Sequence, residues 1–273
     1  MTDATAPQKM PSDAAAAVAA PPKAYASNRV VILGALSAIA MAVARIYAAE
    51  NAALVLVARN SDRLKQAADD LRARGAVQVE TVTLDLDAES ANATAHIAAW
   101  AALIGGLDDV HVVYGYLGDQ ETAKDLPAEL AKILSVNFTS AALWCSAAGE
   151  FMRAQRRGAV VAISSVAGDR GRQSNYAYGA AKGGLALFMQ GLSHSLAPVG
   201  ARAVAMKLGF VDTPMTDGMA KGGALWAKPD SVAIAIRRAA KRGGPIQYAP
   251  GIWKFIMLII RTVPSFVFHR TKL

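Results

Sequence analysis

Short, continuously apolar runs alternate with longer segments of helical period, and this alternation limits the folds open to the chain. The runs are RVVIL at 29–33, ALVLVA at 53–58, VHVVYGYLG at 110–118, AVVAIS at 159–164 and RAVAMKL at 202–208, and VQVETVTLD at 77–85 is strand-like. The helical stretches are GALSAIAMAVARIYAAE, a polar segment from Ser61 to Arg74, residues 88–103, a long segment over 125–153 and residues 176–197. A run apolar at consecutive positions shows apolar side chains to both faces of a sheet, so both faces must be covered. Parallel strands joined by helical crossovers meet that demand. The pattern predicts an α/β fold, a doubly wound parallel sheet with helices on both faces, in one domain over residues 28–250.

The chain has 273 residues, 53% of them hydrophobic, which suits one full-sized core. Residues 1–27 are rich in Ala and Pro and read as a disordered tail; the run AAAAVAA at 14–20 is too short and weak for a signal peptide. The single cysteine, Cys145, sits in an apolar helical pattern. A disulfide framework is excluded, and a reducing cytoplasm fits. The net charge of +8 comes from dispersed basic residues without a nucleic-acid-binding motif, so no nucleic-acid partner is expected. His96, His111, His194 and His269 do not cluster, and no metal site is expected.

The C-terminal segment 251–273, GIWKFIMLIIRTVPSFVFHRTKL, is interrupted by Lys254, Arg261 and Pro264 and is too short to span a bilayer. Trp253, Phe255, Ile256, Ile259, Ile260, Phe266 and Phe268 beside cations suit a helix lying on an anionic membrane surface. They suit equally a helix packed on the domain or on a second subunit. The first reading makes the protein peripheral on the inner membrane.

In a doubly wound sheet of the Rossmann type, the first strand-to-helix turn meets the dinucleotide pyrophosphate. Here that turn reads LGALSAIA at 33–40, with Gly34 retained and Ala38 and Ala40 standing where a fuller fingerprint has glycine. Arg59 directly follows the second run, and no acid appears until Asp62. An arginine there accommodates a 2′-phosphate, which favours NADPH over NADH. Asp85 at the end of the third run either reaches the adenine amino group or caps the helix near Ala88.

The stretch NYAYGAAKGG at 175–184 places Tyr178 and Lys182 one helical turn apart on one face. Ser165 precedes Tyr178 at the end of a sheet strand, the edge where such folds bind ligands. Asn137 lies inside the long helical segment, where asparagine has poor propensity. A free phenol, with pKa about 10, cycles reluctantly through its anion at neutral pH. A neighbouring ammonium would lower that pKa and fit Tyr178 to act as a general acid. Ser165 could polarise a substrate carbonyl.

Asn137, the SSVAG strand end at 164–168, Tyr178 and Lys182, in this order and spacing, resemble the short-chain dehydrogenase/reductase family over about residues 29–250. The resemblance implies a ketone or alcohol substrate, an NADPH/NADP cofactor with NAD as the second choice, and a homodimer or homotetramer. It implies that Ser165, Tyr178, Lys182 and Asn137 are catalytic, with Lys182 holding the nicotinamide ribose and Asn137 pinning a water that returns protons. It also implies that Gly34, Leu36, Ser37, Ile39, Arg59, Asp85, Leu86, Gly209, Val211 and Thr213 line the cofactor, and that 215–228 stands in the place of a substrate lid. Two features depart from the family pattern: GYLG at 115–118 replaces Asn-Asn-Ala-Gly, and Leu208 replaces a proline. The turn YGYLGDQ at 114–120, the segment 152–185 and the tail at 248–270 are similar to a subgroup that includes the decaprenylphosphoryl-2-keto-erythro-pentofuranose reductase. That subgroup implies a ketone on a lipid-linked sugar or other bulky lipid. A soluble reductase of a small or fatty-acyl ketone, and a non-catalytic dinucleotide-binding partner of a membrane enzyme, are the alternatives.

Overall fold

The computed structural model describes residues 28–218, 222–223 and 225–271. The tail expected over 1–27 lies outside them, as do residues 219–221 and 224 of the segment in the lid position. In chain order the elements are β1 (Arg29–Leu33), α1 (Ala38–Ala49), β2 (Ala53–Ala58), α2 (Ser61–Ala73), β3 (Gln78–Thr83), α3 (Ala93–Leu103) and β4 (Asp109–Val112). They continue with α4 (Gln120–Asp125), α5 (Pro127–Leu134), α6 (Ser140–Gln155), β5 (Ala159–Ser165), α7 (Tyr176–Leu196), β6 (Arg202–Leu208), β7 (Phe210–Val211) and β8 (Trp226–Ala227). The last four are α8 (Pro229–Arg242), β9 (Ile246–Ala249), α9 (Trp253–Thr262) and α10 (Ser265–Phe268).

Seven parallel strands form one sheet in the order β3-β2-β1-β4-β5-β6-β9, and β7 pairs with β8 outside it. Val30 and Ile32 of β1 face α1 and α8, while Val31 and Leu33 face α3, α6 and α7, so consecutive apolar residues are buried in two separate cores. This is the physical reason the strands read as unbroken apolar runs. The edge strand β3 is the exception: QVETVT alternates between burial and exposure because its outer edge and one face meet water. The chain reverses direction across the sheet between β1 and β4, and sheets of this kind bind ligands at the carboxyl ends of the strands beside such a switch point.

The long helical segment expected over 125–153 is divided. α5 ends at Leu134, residues 135–139 widen into a π turn, and α6 resumes at Ser140. The Asn137 amide sets this break. It donates to Tyr116 O (2.5 Å) and Ile133 O (2.9 Å) and accepts from Tyr116 N (3.1 Å), tying the helix to the turn after β4. Pi bulges of this kind are frequent at functional sites.

The C-terminal segment folds onto the domain. Trp253 and Met257 are buried with Val166, and Phe210, Tyr248, Ile256 and Ile260 pack around them. Arg170 donates to Ile260 O (2.6 Å) and Val263 O (2.5 Å) at the end of α9 and lies over the Phe268 ring. The packed reading therefore holds for one face. The other face remains open: Phe255, Ile259 and Phe266 are 67%, 66% and 68% exposed.

Candidate active site

At the phosphate end, Gly34 has φ +80, and a Cβ there would meet Tyr114 Cβ at 2.6 Å. Only glycine allows this approach of the first turn to the segment after β4. Ser37 caps α1 by accepting from Ala40 N (3.2 Å), and its hydroxyl lies 3.2 Å from Val113 O. The remaining amides of the first helical turn have no intrahelical acceptor, as at every helix start. A glycine cradle beside those amides fits a pyrophosphate, even without glycine at 38 and 40. Leu36 and Ile39 flank this turn, packed partly buried against the core.

Arg59 is exposed directly after β2. Asp85 accepts from Asp87 N (3.0 Å) and Ala88 N (3.4 Å), closing the turn after β3, which is the capping alternative. Leu86 is buried, and its carbonyl accepts from the Trp144 indole (2.7 Å). On the opposite side, Val211 is buried in β7, and Thr213 opens a short capped turn with Thr216. Gly209 lies under Trp253; a Cβ there would overlap the indole nitrogen. The C-terminal helix thus packs directly against the segment that follows β6.

Ser165 ends β5, where its hydroxyl accepts from Ala167 N (3.1 Å) and lies near enough to the Tyr178 phenol to affect its ionisation. Two close backbone approaches fix this pairing. A Cβ on Gly168 would lie 2.5 Å from Gly183 N, and one on Gly179 would lie 2.8 Å from Ala167 O. The glycines around Tyr178 and Lys182 therefore let the turn after Ser165 rest directly on α7. Lys182 is 2% exposed; its ammonium donates to Ile163 O (3.0 Å) and stands 5.8 Å from the Tyr178 ring centre.

The sequence argument expects Lys182 to make the phenol more acidic. Burial wins instead: it pushes the Tyr178 pKa up to about 12, and the nearby Ser165 hydroxyl draws it partly back. Burial also lowers Lys182 to about 8. At neutral pH the site therefore holds a protonated phenol beside an ammonium. Asn137 is fully buried, and its amide is committed to Tyr116 and Ile133 backbone rather than reaching outward for water.

The bulky turn after β4 is accommodated by turning its side chain away. Tyr116 donates to Glu129 Oε1 (2.8 Å), and Lys132 lies over its ring. Gly115 faces the site: a Cβ there would lie 2.9 Å from Asn137 Oδ1 and 3.3 Å from Lys182 Nζ. Sequence reading missed Gly115, and also the ion pair of Lys207 with Asp169, whose carboxylate accepts from the Tyr248 hydroxyl (2.8 Å). The signal for the pair was a lysine inside the apolar run RAVAMKL. Cys145 is buried, and burial raises its thiol to about 12, which makes it inert packing. Among the described residues no cluster fits a metal ion.

A doubly wound sheet with a hydroxyl–phenol–ammonium set at the carboxyl ends of its strands is the architecture of a dinucleotide-dependent oxidoreductase. The family model of short chain dehydrogenases matches residues 28–222, and the chain belongs to that family. It is 36% identical over 241 residues to an uncharacterized oxidoreductase of Mycobacterium tuberculosis (strain ATCC 25618 / H37Rv), covering 88% of this chain and 96% of that protein. An uncharacterized oxidoreductase of Streptomyces coelicolor is 36% identical over 267 residues, covering 96% and 99%. Among solved structures, levodione reductase matches with a TM-score of 0.71 at 24% identity, over 82% of this chain and 95% of that one, a likeness of fold. The protein is an oxidoreductase of a family that uses nicotinamide dinucleotides on ketones and alcohols and is commonly oligomeric.

Proposed function

We propose that the protein is an NADP-dependent reductase of a ketone carried on a lipid-linked sugar or another bulky, lipid-like molecule, with Ser165, Tyr178, Lys182 and Asn137 as its chemical set. The observation that carries this reading is the Ser165 hydroxyl close enough to the Tyr178 phenol to lower its pKa, with the Lys182 ammonium one turn away at 5.8 Å from the Tyr178 ring centre. The dinucleotide would be held by the α1 turn (Gly34, Leu36, Ser37, Ile39), by Arg59, Asp85 and Leu86, by Tyr178 and Lys182, and by Gly209, Val211 and Thr213. When bound, it supplies the hydride. Arg59, with no acid at the end of β2, favours the 2′-phosphate of NADP.

Tyr178, protonated at neutral pH, gives its proton to the carbonyl oxygen as that oxygen gains charge. Ser165 donates a hydrogen bond to the same oxygen and holds it near the phenol. Lys182 offsets the phenolate that remains, and Asn137 fixes the turn carrying Gly115 beside that ammonium. Tyr178→Phe should lose turnover by about three orders of magnitude or more while NADPH still quenches tryptophan fluorescence. Undiminished turnover would refute the acid role.

The open face of the C-terminal helices supports attachment to the cytoplasmic surface of an anionic membrane. Ile252, Phe255, Leu258, Ile259 and Phe266 are exposed together with Lys254 and Arg261, and no Asp or Glu occurs from 251 to 271. None of the described helices is long and apolar enough to cross a membrane. A Phe255→Ser, Ile259→Ser, Phe266→Ser variant keeps the buried face intact and should lose flotation with anionic liposomes; equal flotation rules the attachment out. Leu143 on α6 and Leu187 on α7, exposed on the long helices, support pairing of two subunits through that surface.

A further inference from the structure

The loop between Ser165 and Tyr178 gathers polar atoms that the fold leaves unsatisfied. Among the described residues, four buried side-chain polar atoms have no hydrogen-bond partner: Arg172 Nε, Gln120 Nε2, Asn175 Oδ1 and His111 Nδ1. Only His111 lies away from this loop, inside β4. Arg172 and Asn175 share one turn, in which Asn175 N donates to Arg172 O (3.3 Å). Gln120 is held against that turn's end by accepting from Ala177 N (2.9 Å) through its own oxygen, which leaves its amide nitrogen free. Buried polar atoms are nearly always paired, so three orphans beside Tyr178 call for an absent partner.

The charges identify the partner. Arg170 two residues earlier is spent on the carbonyls that end α9. Arg172 has no such use: among the described residues its side chain's one hydrogen-bond contact is Nη2 with the Met257 sulfur at 3.6 Å, a weak acceptor. The adjacent carboxylate, Asp169, is engaged by Lys207 and Tyr248. Asp169 attracts the Arg172 guanidinium, but its oxygens are bound to other groups, so among the described residues Arg172 stands half-buried without an ion-pair partner of its own, a costly arrangement unless an anion completes it. All three side chains keep part of their surface open to solvent.

We propose that Arg172, with Gln120 and Asn175, is the recognition subsite for the substrate, and that it takes an anionic oxygen group, a phosphate or a carboxylate, carried by the ketone. Arg172 and Gln120 donate to that group, and Asn175 accepts from a neighbouring hydroxyl. The substrate class is then an anionic, hydroxylated ketone. This rests on the reductase reading above, of which it specifies the substrate.

The test is a thermal-shift titration of the full chain, saturated with NADP so that the cofactor cradle is filled, at constant ionic strength. The probes are inorganic phosphate, acetate, glycerol 3-phosphate and vesicles containing phosphatidic acid, with glycerol as the neutral control. Phosphate or acetate should stabilise the parent protein, and Arg172→Met should weaken the apparent affinity about 10-fold to 100-fold. Arg172→Lys should recover part of it, and Gln120→Leu should weaken it less. Phosphate against acetate gives the anion class, and glycerol 3-phosphate against vesicles tells a soluble from a lipid-borne phosphate. An anion response equal in the parent and Arg172→Met, or absent from both, overturns the proposal. Tyr178→Phe should keep the anion response while losing turnover, so a failure of the chemistry and a failure of this subsite give different results.

Discussion

Replacing Lys182 by methionine should make the fold more stable at neutral pH while abolishing turnover. Lys182 is 2% exposed, and burial lowers its pKa from 10.5 to about 8. At about 1.4 kcal/mol per pH unit, the buried ammonium costs roughly 3 kcal/mol at pH 7. Between about pH 8 and 10.5 the unfolded chain holds this proton and the folded chain releases it. The penalty therefore fades as pH rises through that window. Methionine has similar length and no charge, but it leaves Ile163 O without the donor it has at 3.0 Å. That loss costs roughly 1 kcal/mol. The variant should thus gain about 2 kcal/mol at pH 7 and nearly nothing at pH 9.5. Urea denaturation of both proteins at the two pH values, with equal m-values, reads this directly. A variant less stable than its parent at pH 7, or a difference that ignores pH, would show that the buried ammonium is not what limits stability at this position.

Other perturbations follow from single contacts. Asn137→Ala removes three hydrogen bonds from a fully buried site and should cost about 3 kcal/mol in a denaturation midpoint, with α5 and α6 loosened at the π turn; an unchanged midpoint would mean the tie to Tyr116 is dispensable. Asp169→Asn leaves Lys207 buried without its carboxylate and should cost about 3 kcal/mol, whereas adding Lys207→Met should restore most of the loss. A double variant no more stable than the single one would remove the ion pair from the account.

The strands could be read from the sequence because burial on both faces writes itself into consecutive residues, and the run 202–208 coincides with β6. Tyr178, Lys182 and Ser165 were legible for a related reason: helical spacing and the strand end place them locally. What escaped depends on distant partners. The division at 135–139 arises from an amide gripping a backbone 21 residues away, and asparagine's poor helix propensity was its one local trace. The C-terminal helix is apolar on both sides, so periodicity could not say which face meets the protein; the answer lies in Gly209 and Val166, far along the chain. The pKa of Tyr178 was misjudged because spacing reveals a neighbouring charge but not how much water has been removed.

The contact of Gly168 on Gly183 separates two tasks that many crevices entangle. It packs the strand end bearing the hydroxyl directly on the helix bearing the phenol, while residues 171–175 pass outside that junction. Appetite for a new molecule can then drift by rewriting the outer strip, and the proton donor keeps its aim throughout. An engineer seeking altered selectivity should randomise that strip and leave the paired glycines untouched.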